Sequence, residues 1–300
     1  MHFLITGGSG LIGTRLCQAL LQAGHQITIL SRHPGVVQKK WGHAVSIISS
    51  LNEWHPDIFF DVIINLAGEP IADAAWTEAR KKLLWDSRVT LTTELVARIE
   101  ASHRKPALLL SGSAIGYYGD CGDASLTESA PAGSDFAARL CLAWEQQALR
   151  ATQLGVRVCL LRTGLVLTAK GGLLGRMWLP FKLGLGARLG NGRQWMSWIH
   201  IEDYVAMVFK LISADDANGA YNMTAPCPQT NAQFTQQLAR AVHRPAWFVA
   251  PAFLLSALLG SRSILLLGGQ QVLPTRMLND KFVFKYPQLD AALSSLARIA

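Results

Sequence analysis

The sequence predicts an α/β protein, with a doubly wound parallel sheet and a smaller, mostly helical C-terminal lobe. Short apolar runs alternate with segments of helical periodicity through the first half of the chain, a pattern typical of parallel strands joined by helices. A glycine-rich turn directly follows the first apolar run. After Arg162 the alternation ends, and glycine-rich and helical segments indicate a second lobe.

The N-terminal segment has the pattern of a dinucleotide-binding βαβ unit. Residues 2–6 are predicted to form a strand, and the turn 7–13 follows with the spacing G-x-x-G-x-x-G. Residues 14–23 have helical composition, and residues 26–30 are predicted to form the second strand. Because the start of a helix presents backbone N–H groups to an anion, we expect this turn to bind a pyrophosphate.

Residues of this turn have distinct expected parts in holding the cofactor. Gly7 permits the tight turn, and Gly10 lets the backbone approach the pyrophosphate closely. Gly13 lets the helix pack near the strand. Leu11 and Ile12 lie at the start of the helix, where N–H groups are available to the anion. These residues form the first part of the predicted cofactor site.

The end of the second strand indicates which dinucleotide binds. An acidic residue there would hydrogen-bond the ribose 2′-hydroxyl of NAD, whereas an arginine accommodates the 2′-phosphate of NADP. Ser31 and Arg32 occupy this position, and residues 1–40 contain no Asp or Glu. Since a guanidinium pairs bidentately with a phosphate, the sequence predicts NADP(H) as the cofactor.

More strands and helices are predicted before the second lobe. The expected strands are 61–67, 107–111 and 156–162, and the expected helices are 76–102 and 135–153. Open α/β sheets bind ligands at the carboxyl ends of their strands. Ser113, Tyr117 and Tyr118 follow the second of these strands, in an expected loop that would face the ligand crevice. Alternatively, the Gly-Ser pairs of this loop simply make a turn.

The second half of the chain is expected to build a smaller lobe on the first. Its predicted elements are a strand at 195–199, helices at 204–212 and 231–242, and a mostly helical tail from 247. Glu202 or Asp203 is expected to be an N-cap or a first-turn charge, and Asn231 an N-cap. His200 lies in an apolar run and is expected to be a hydrogen-bonded structural residue.

Composition narrows the class of protein and its surroundings. Half of the residues are hydrophobic and 16% are charged, as in a globular chain. The five cysteines are scattered and form no C-x-x-C motif. This favours a reducing compartment, here the cytoplasm, and argues against a structural zinc site or another bound metal. Since a predicted strand begins at residue 2, no signal peptide is expected.

Charge and hydropathy exclude two classes of partner. The net charge is +8, but the basic residues are spread along the chain, so nucleic acid is not expected as a partner. An anionic cofactor and an anionic substrate explain the excess. The most apolar region, 245–269, is interrupted by Pro251, Gly260 and Arg262. We therefore expect two packed helices joined by a Gly-Ser turn, and no membrane partner.

Several motifs together resemble the extended short-chain dehydrogenase/reductases, the nucleotide-sugar epimerase and dehydratase superfamily. The likeness is closer still to a poorly characterised branch labelled epimerase family proteins, and it extends over nearly the whole chain, including that branch's own C-terminal helical domain. The motifs are Thr6-Gly7-x-x-Gly10-x-x-Gly13, Asn65-Leu66-Ala67-Gly68-Glu69-Pro70, Ser111-Gly112-Ser113-x-x-Gly116-Tyr117-Tyr118-Gly119, Leu161-Arg162-Thr163-Gly164, Trp198-Ile199-His200-Ile201 and Tyr286-Pro287.

This resemblance implies a Rossmann-type NADP-binding domain over residues 1–165 and a substrate lobe over 166–300. The segments of the two are expected to interleave, and a family-specific helical part begins at about 247. A homodimer is usual among such relatives. The residues implied to hold the cofactor, besides the glycine turn, are Ser31, Arg32, Leu66, Ala67, Arg88 and Val166.

The sequence departs from the superfamily at its catalytic helix. Members of known chemistry use Tyr-x-x-x-Lys together with a serine, the tyrosine exchanging a proton and the lysine lowering its pKa. Aligning Glu145 with the acidic residue usual in that helix places Ala137 at the tyrosine and Cys141 at the lysine. Ser113 matches the serine. We therefore expect Ser113 with Tyr117 or Tyr118 to polarise a substrate hydroxyl or carbonyl, and Cys141 to be a buried apolar residue.

Two hypotheses of function follow. The first is an NADP(H)-dependent oxidoreductase or epimerase-like enzyme acting on a sugar-like, anionic metabolite. The second is a non-catalytic NADP(H)-binding protein whose cofactor state governs a partner, because the catalytic pair is missing. Basic residues from the stretch that closes over the substrate in relatives are expected to bind the anionic group, or else to lie in a solvated loop: Lys170, Arg176, Lys182, Arg188 and Arg193.

Overall fold

The computed structural model describes residues 1–299 and confirms the predicted fold class. The first half of the chain contains, in order, β1 (His2–Thr6), α1 (Leu11–Gln22), β2 (Gln26–Leu30), α2 (Pro34–Trp41), β3 (Ser46–Ile48), β4 (Val62–Asn65), α3 (Glu78–Trp85), α4 (Leu91–Ala101), β5 (Leu108–Ala114), β6 (Ser125–Leu126), α5 (Phe136–Leu149) and β7 (Arg157–Thr163).

The second half is built from shorter strands and more helices. It contains β8 (Leu165–Leu167), α6 (Gly172–Lys182), β9 (Ala187–Leu189), β10 (Trp195–Met196), β11 (Trp198–His200), α7 (Ile201–Ser213), β12 (Gly219–Met223), β13 (Gln229–Thr230), α8 (Asn231–Ala241), β14 (Phe248–Ala250), α9 (Ala252–Leu259), α10 (Ile264–Leu267), β15 (Gln271–Val272), α11 (Thr275–Asn279) and α12 (Leu289–Ala297).

The central sheet has seven parallel strands in the order β3-β2-β1-β4-β5-β7-β12. The chain builds outward from β1 to β3, returns to β4, and then builds in the opposite direction. The order of strands therefore reverses between β1 and β4, and their carboxyl ends diverge there into a crevice. This is the position at which open α/β sheets bind nucleotides.

Alternate residues of the central strands enter two separate cores. On β1, Phe3 and Ile5 belong to a core with residues of α1 and α7, whereas Leu4 belongs to a core with residues of α4 and α5. Because both faces of the sheet are covered, the strands are continuous apolar runs, as the sequence shows. A third core, around Trp198, joins α6, α8 and α12 in the smaller lobe.

The two lobes share chain segments. After β11 in the smaller lobe, α7 packs on α1, and Arg15 of α1 donates two hydrogen bonds to the Glu202 carboxylate of α7, at 2.7 and 2.6 Å. β12 then joins the edge of the central sheet beside β7. Residues 201–223 thus belong to the layers of the first lobe although they follow the smaller lobe in sequence.

The predicted loop after residue 111 is wrong. β5 continues to Ala114, with Ser111 and Ser113 buried and paired in register with Leu160 and Arg162 of β7. Serine and glycine favour turns, but here Gly112 serves close packing, since an added Cβ would lie 2.7 Å from the Trp144 ring. A single 3-10 turn, Ile115–Tyr118, follows the strand.

The N-cap predicted at Asn231 is wrong, and the residue that caps α7 was not predicted. His200 caps α7, because its Nδ1 accepts from the Glu202 N–H at 3.1 Å, while Glu202 and Asp203 are first-turn charges, the alternative that the sequence left open. Thr230 caps α8 in a reciprocal box with Gln233. Asn231 instead accepts from the Leu189 N–H at 2.9 Å, so it ties α8 to β9.

His200 is structural, as expected. Burial lowers its pKa to about 4, so the ring is neutral at neutral pH. Its Nε2 lies 3.2 Å from the Ser295 hydroxyl, and its ring centroid lies 4.0 Å from that of Tyr286. The ring thereby joins the start of α7 to α12 and to the segment before it.

The Asp203 carboxylate anchors the C-terminal tail to α7. It accepts from the backbone N–H of Lys285 at 2.7 Å and of Tyr286 at 2.9 Å, and it is buried.

Asp203→Ala should lower the free energy of unfolding by about 2–4 kcal/mol, because two N–H groups lose a charged acceptor. Urea denaturation measures this. Asp290→Ala, a change at an exposed first-turn residue, should cost less than about 0.5 kcal/mol; equal costs would contradict the anchoring role.

Candidate functional site

A cleft of about 380 Å³ opens at the reversal between β1 and β4. Its lining includes the glycine turn, the end of β2 and the segment after β4. Of the residues predicted to hold the cofactor, those that line this cleft are Gly7, Gly10, Ser31, Arg32, Leu66 and Ala67. The sequence-predicted residues from three separate segments therefore meet at one place.

The glycine turn has the close fit expected of a phosphate-binding turn. Gly7 has φ +71°, and an added Cβ would lie 2.7 Å from the Leu66 carbonyl. At Gly13, in the first turn of α1, an added Cβ would lie 2.2 Å from the Gly7 carbonyl oxygen, so only glycine fits at this position. No side chain among residues 1–299 caps the start of α1, and no acidic residue lies in its first turn. Its N–H groups and positive dipole end are available to an anion.

A hydrogen-bonded chain fixes the two strands that form the cleft. The Thr6 hydroxyl donates to Asn65 Oδ1 at 2.7 Å and accepts from the Ala67 N–H at 3.0 Å. Asn65 Nδ2 donates to Thr92 at 2.8 Å. These buried bonds hold Leu66 and Ala67 against the glycine turn, which sets the width of the cleft.

Arg32 stands at the far end of the cleft with its side chain 69% exposed. It forms an ion pair with Glu69, Nη2 to Oε1 2.6 Å, and Arg80 lies 3.4 Å from the other carboxylate oxygen. The hydrogen bond from Arg32 is the main reason that the pKa of Glu69 is lowered. Residues 1–40 contain no carboxylate, but the segment after β4 brings one to Arg32, a contact between distant segments that local sequence does not indicate.

The remaining predicted cofactor residues surround the cleft but do not line it. Leu11 meets the glycine segment before α6, and Ile12 packs against the core of α1 and α7. Arg88 donates to the Glu69 carbonyl at 2.8 Å and lies over the Trp144 ring. Val166 pairs with Ile199 in the smaller lobe. Their contact with a cofactor stays a prediction.

The predicted catalytic groups belong to a buried ionic network. The Ser113 hydroxyl donates to Glu145 Oε1 at 2.6 Å. Arg162 donates to both oxygens of the same carboxylate, at 2.8 and 2.9 Å. Its Nη1 reaches the Tyr118 hydroxyl at 3.0 Å, and Tyr118 donates to Asn222 Oδ1 at 2.6 Å. All five side chains are buried.

The network fixes the protonation of its members. Burial disfavours the charge of Arg162, but its hydrogen bonds to the Glu145 carboxylate outweigh this effect, so the pKa of Arg162 is raised. Burial raises the pKa of Tyr118, with only partial offset from Arg162. Tyr118 is therefore a neutral phenol whose proton is held by Asn222. Tyr117 is half-buried, and its ring centroid lies 3.6 Å from the Arg162 guanidinium carbon.

A second cavity, of about 300 Å³, adjoins the ends of β5 and β7. Its wall includes Ala137 and Cys141, the residues that the expected alignment puts in place of the superfamily's tyrosine and lysine. Burial raises the pKa of the Cys141 thiol to about 12, so it is not a thiolate at neutral pH, in line with its expected apolar role. The other apolar side chains of this wall are Ile71, Ala114, Ile115, Leu165, Leu173, Met177, Leu189, Trp195, Met196, Ile264, Leu265 and Leu266.

The charge around this cavity differs from what the sequence led us to expect. Among the described residues, no Lys, Arg or His lines it. Arg176 instead pairs with Asp73 at 2.6 Å, and Arg188 lines a separate surface depression beside α8. The single carboxylate in the wall, Asp135, accepts from the Ala138 N–H and caps α5. The cavity is mainly apolar and offers no cation to a phosphate. The uncharged polar residues in its lining are Thr163, Gln194, Ser197, Asn231 and Gln270.

Sequence reasoning missed Arg162 and the α10 residues as parts of the site. Arg162 lies near the end of a buried, mostly apolar strand, and Glu145 lies in a mostly apolar helix. A charged residue in each of these apolar segments was the sequence signal that indicated a buried ion pair. The α10 residues had no such signal. Within residues 1–299 there is no cluster of side chains that would hold a metal, and no helix long and apolar enough to cross a membrane.

Comparisons with known proteins agree with this geometry. Residues 3–224 match the model of the NAD dependent epimerase/dehydratase family, and residues 250–296 match a domain of unknown function, DUF1731. An epimerase family protein of Staphylococcus epidermidis is 38% identical over 99% of both chains.

Two solved structures are also similar. The human epimerase family protein SDR39U1 (isoform 2), crystallised with NADPH, has a TM-score of 0.90 at 33% identity, with both chains covered completely. A nucleoside-diphosphate sugar epimerase from Corynebacterium glutamicum has a TM-score of 0.79 at 29% identity, covering 99% of this chain and 58% of that one.

The Glu145–Arg162 pair should dominate the stability of the site. Arg162→Met should lower the free energy of unfolding by about 3–5 kcal/mol, because it leaves the Glu145 carboxylate buried without its partner. The double variant Arg162→Met/Glu145→Gln should recover part of this loss. Denaturant titration of the variants gives the coupling energy, and simple additivity of the two single losses would contradict the pairing.

Proposed function

Because the chain belongs to the NAD dependent epimerase/dehydratase family, we propose that it is an NADP(H)-dependent oxidoreductase acting on a small, mainly apolar carbonyl compound or its alcohol. The observation that carries this proposal is the pair of cavities along one sheet edge. One fits a dinucleotide, and the other is an apolar chamber beside the ends of β5 and β7.

The cofactor is NADP(H). Its pyrophosphate would lie on the glycine turn, where Gly7 and Gly13 leave no room for side chains, and its 2′-phosphate beside Ser31 and Arg32. When bound, NADPH would supply a hydride to a carbonyl carbon. The carbonyl oxygen would take a proton from the Tyr117 phenol, because the Ser113 hydroxyl already donates to Glu145. Arg32 would then exchange its carboxylate partner, Glu69, for the phosphate, or bridge the two.

The chain's own residues would orient the substrate and exclude water from it. The Ser113 hydroxyl donates a hydrogen bond to Glu145, so the lone pairs of Ser113 Oγ can accept a hydrogen bond from a substrate hydroxyl. Tyr117, half-buried, is better placed than the buried Tyr118 to contact a ligand. In this assignment Tyr118 is a positioning residue, and Ser113 and Tyr117 are the candidate catalytic groups. Neither lines the chamber, but each adjoins a residue that does, Ala114 and Gly116 respectively.

The substrate class differs from the sugar-like, anionic metabolite that the sequence suggested. A nucleotide diphosphate needs cations, and none lines the chamber among the described residues. Burying a diphosphate in an apolar wall would cost free energy with no compensating partner. An apolar carbonyl compound avoids that cost, so we assign this chemistry to the chamber.

A non-catalytic NADP(H)-binding protein is the second candidate. Ala137 and Cys141 occupy the positions of the tyrosine and lysine, and Ser113 and Tyr118 already donate their protons within the network. Such a protein would bind the cofactor and transmit its presence to a partner. The expected cytoplasmic location and homodimer stay predictions under either candidate.

Purified protein incubated with NADPH distinguishes these candidates. The panel contains aliphatic and aromatic aldehydes and ketones together with nucleotide sugars, and the readout is loss of NADPH absorbance. Oxidation with the apolar carbonyls supports the proposal. Oxidation with nucleotide sugars alone would refute the substrate class, and a cofactor inert to the whole panel would favour the binding protein.

Arg32→Gln should weaken NADPH binding about tenfold to a hundredfold and leave NADH binding nearly unchanged, because a charge-assisted phosphate contact contributes about 1.5–3 kcal/mol. Titration of both dinucleotides by tryptophan fluorescence measures the change. Lys39→Gln, which removes an exposed cation of α2 outside the cleft, is the matched control. An unchanged preference for NADPH in Arg32→Gln would refute the assignment of Arg32.

Leu265→Asp should abolish turnover of an apolar carbonyl while NADPH affinity stays within about twofold, since the change places a charge in the substrate chamber and not in the cofactor cleft. Steady-state kinetics and the fluorescence titration separate the two effects. Val283→Ser, at an exposed apolar residue outside both cavities, is the control. Retained turnover in Leu265→Asp would show that the chamber is not the substrate site.

A further inference from the structure

The C-terminal arm, residues 245–267, forms an exposed apolar surface together with the end of α6 and the residues after it. Its members are Leu179, Leu183, Leu185, Trp247, Phe248, Val249, Phe253, Leu254 and Leu258. They are contiguous because β14 pairs with β9, Phe248 opposite Ala187 and Val249 opposite Arg188. Arg244 also donates to the Lys182 carbonyl at 3.1 Å, which joins the end of α6 to the segment before β14. We call this set the apolar face.

The side chains of the apolar face point away from the protein. Trp247, Phe253 and Leu258 are 84%, 77% and 71% exposed. In α9 every residue but Ser256 is apolar, and none is buried. Leu255 and Leu259 are half-buried against the protein, which leaves the opposite side of the helix to the surroundings. An exposed apolar surface of this kind marks a binding surface, because water alone does not stabilise it.

The charge around the apolar face is of one sign. Residues 146–201 contain eight Lys or Arg and residues 217–279 contain four, and neither stretch contains an Asp or Glu. These stretches supply the whole apolar face. Lys182, Arg188, Arg244 and Arg262 flank it. From other segments, Asp73 approaches the start of α6, where Arg176 neutralises it at 2.6 Å.

We propose that the apolar face docks on an anionic membrane surface. Aromatic and leucine side chains would enter the boundary between headgroups and acyl chains, and the flanking lysine and arginines would pair with lipid phosphates. α9 has eight residues, about 12 Å of helix, so it would lie in the plane of the interface and not cross it. The sequence had led us to expect no membrane partner.

Charge selects the membrane over a second copy of the chain. A two-fold contact would bring together two copies of the same basic surface. Neither stretch contains an Asp or Glu that could neutralise it. An anionic lipid surface meets the apolar groups and the cations together. α10, which follows α9 in the chain, contributes Ile264, Leu265 and Leu266 to the wall of the chamber. Docking itself does not depend on the proposed oxidoreductase function.

Vesicle sedimentation tests the proposal. The full chain is mixed with phosphatidylcholine vesicles and with equimolar phosphatidylcholine/phosphatidylglycerol vesicles, at low and at high salt. We expect binding to the anionic vesicles that weakens with salt and little binding to phosphatidylcholine. Phe253→Ser/Leu258→Ser should weaken it at least about tenfold, and Lys182→Gln/Arg244→Gln about fivefold for each charge removed.

The control variant is Val36→Ser/Val283→Ser, which removes two exposed apolar groups outside the apolar face and should bind vesicles like the parent. NADPH binding, unchanged in every variant, verifies that each is folded. Three results would overturn the proposal. The first is that the parent protein binds neither kind of vesicle. The second is that Phe253→Ser/Leu258→Ser binds anionic vesicles as tightly as the parent. The third is that the parent binds no vesicles but forms a dimer, and that Phe253→Ser/Leu258→Ser is a monomer.

Discussion

The buried ion pair between Glu145 and Arg162 is the interaction on which the site depends. It joins α5 to β7, and through Ser113 and Tyr118 it also fixes β5 and the turn after it. Asn222 extends the network to β12 and donates to the Leu273 carbonyl at 2.9 Å, in the segment after β15. A charge pair removed from water is tolerated only when its remaining donors and acceptors are satisfied. This requirement explains why so many elements converge here.

The same network replaces the usual acid and base with structural contacts. The expected alignment puts Ala137 and Cys141 of α5 in place of the superfamily's tyrosine and lysine, and in the structure both residues line an apolar wall. The small side chains leave volume, and α10 closes the other side of that volume. The small residues at these two positions thus help to form the apolar cavity.

The cleft at the reversal of strand order was predictable from sequence, and the apolar cavity beside β5 and β7 was not. Strand periodicity, the glycine spacing and Ser31-Arg32 are local signals, each set by backbone geometry within a few residues. The substrate chamber depends on α10 folding back over the end of β5, a contact between segments far apart in sequence. Glu69 reaches Arg32 in the same way. The doubly wound parallel sheet follows from the alternation of elements. The caps at His200 and Thr230 depend on where each helix begins to within one residue, which composition does not specify.

The return of α7 and β12 to the central sheet makes the two lobes one folding unit. The chain enters the smaller lobe at β8, leaves it at α7 and enters it again at α8, so neither lobe can be cut out as a continuous segment. Their interleaved contacts favour cooperative unfolding of both lobes together. Any ligand that binds the folded cleft at β1 therefore raises the free energy of unfolding of the distant C-terminal helices by the same amount. Occupancy of the nucleotide cleft is in this way linked to the lifetime of the C-terminal arm against proteases.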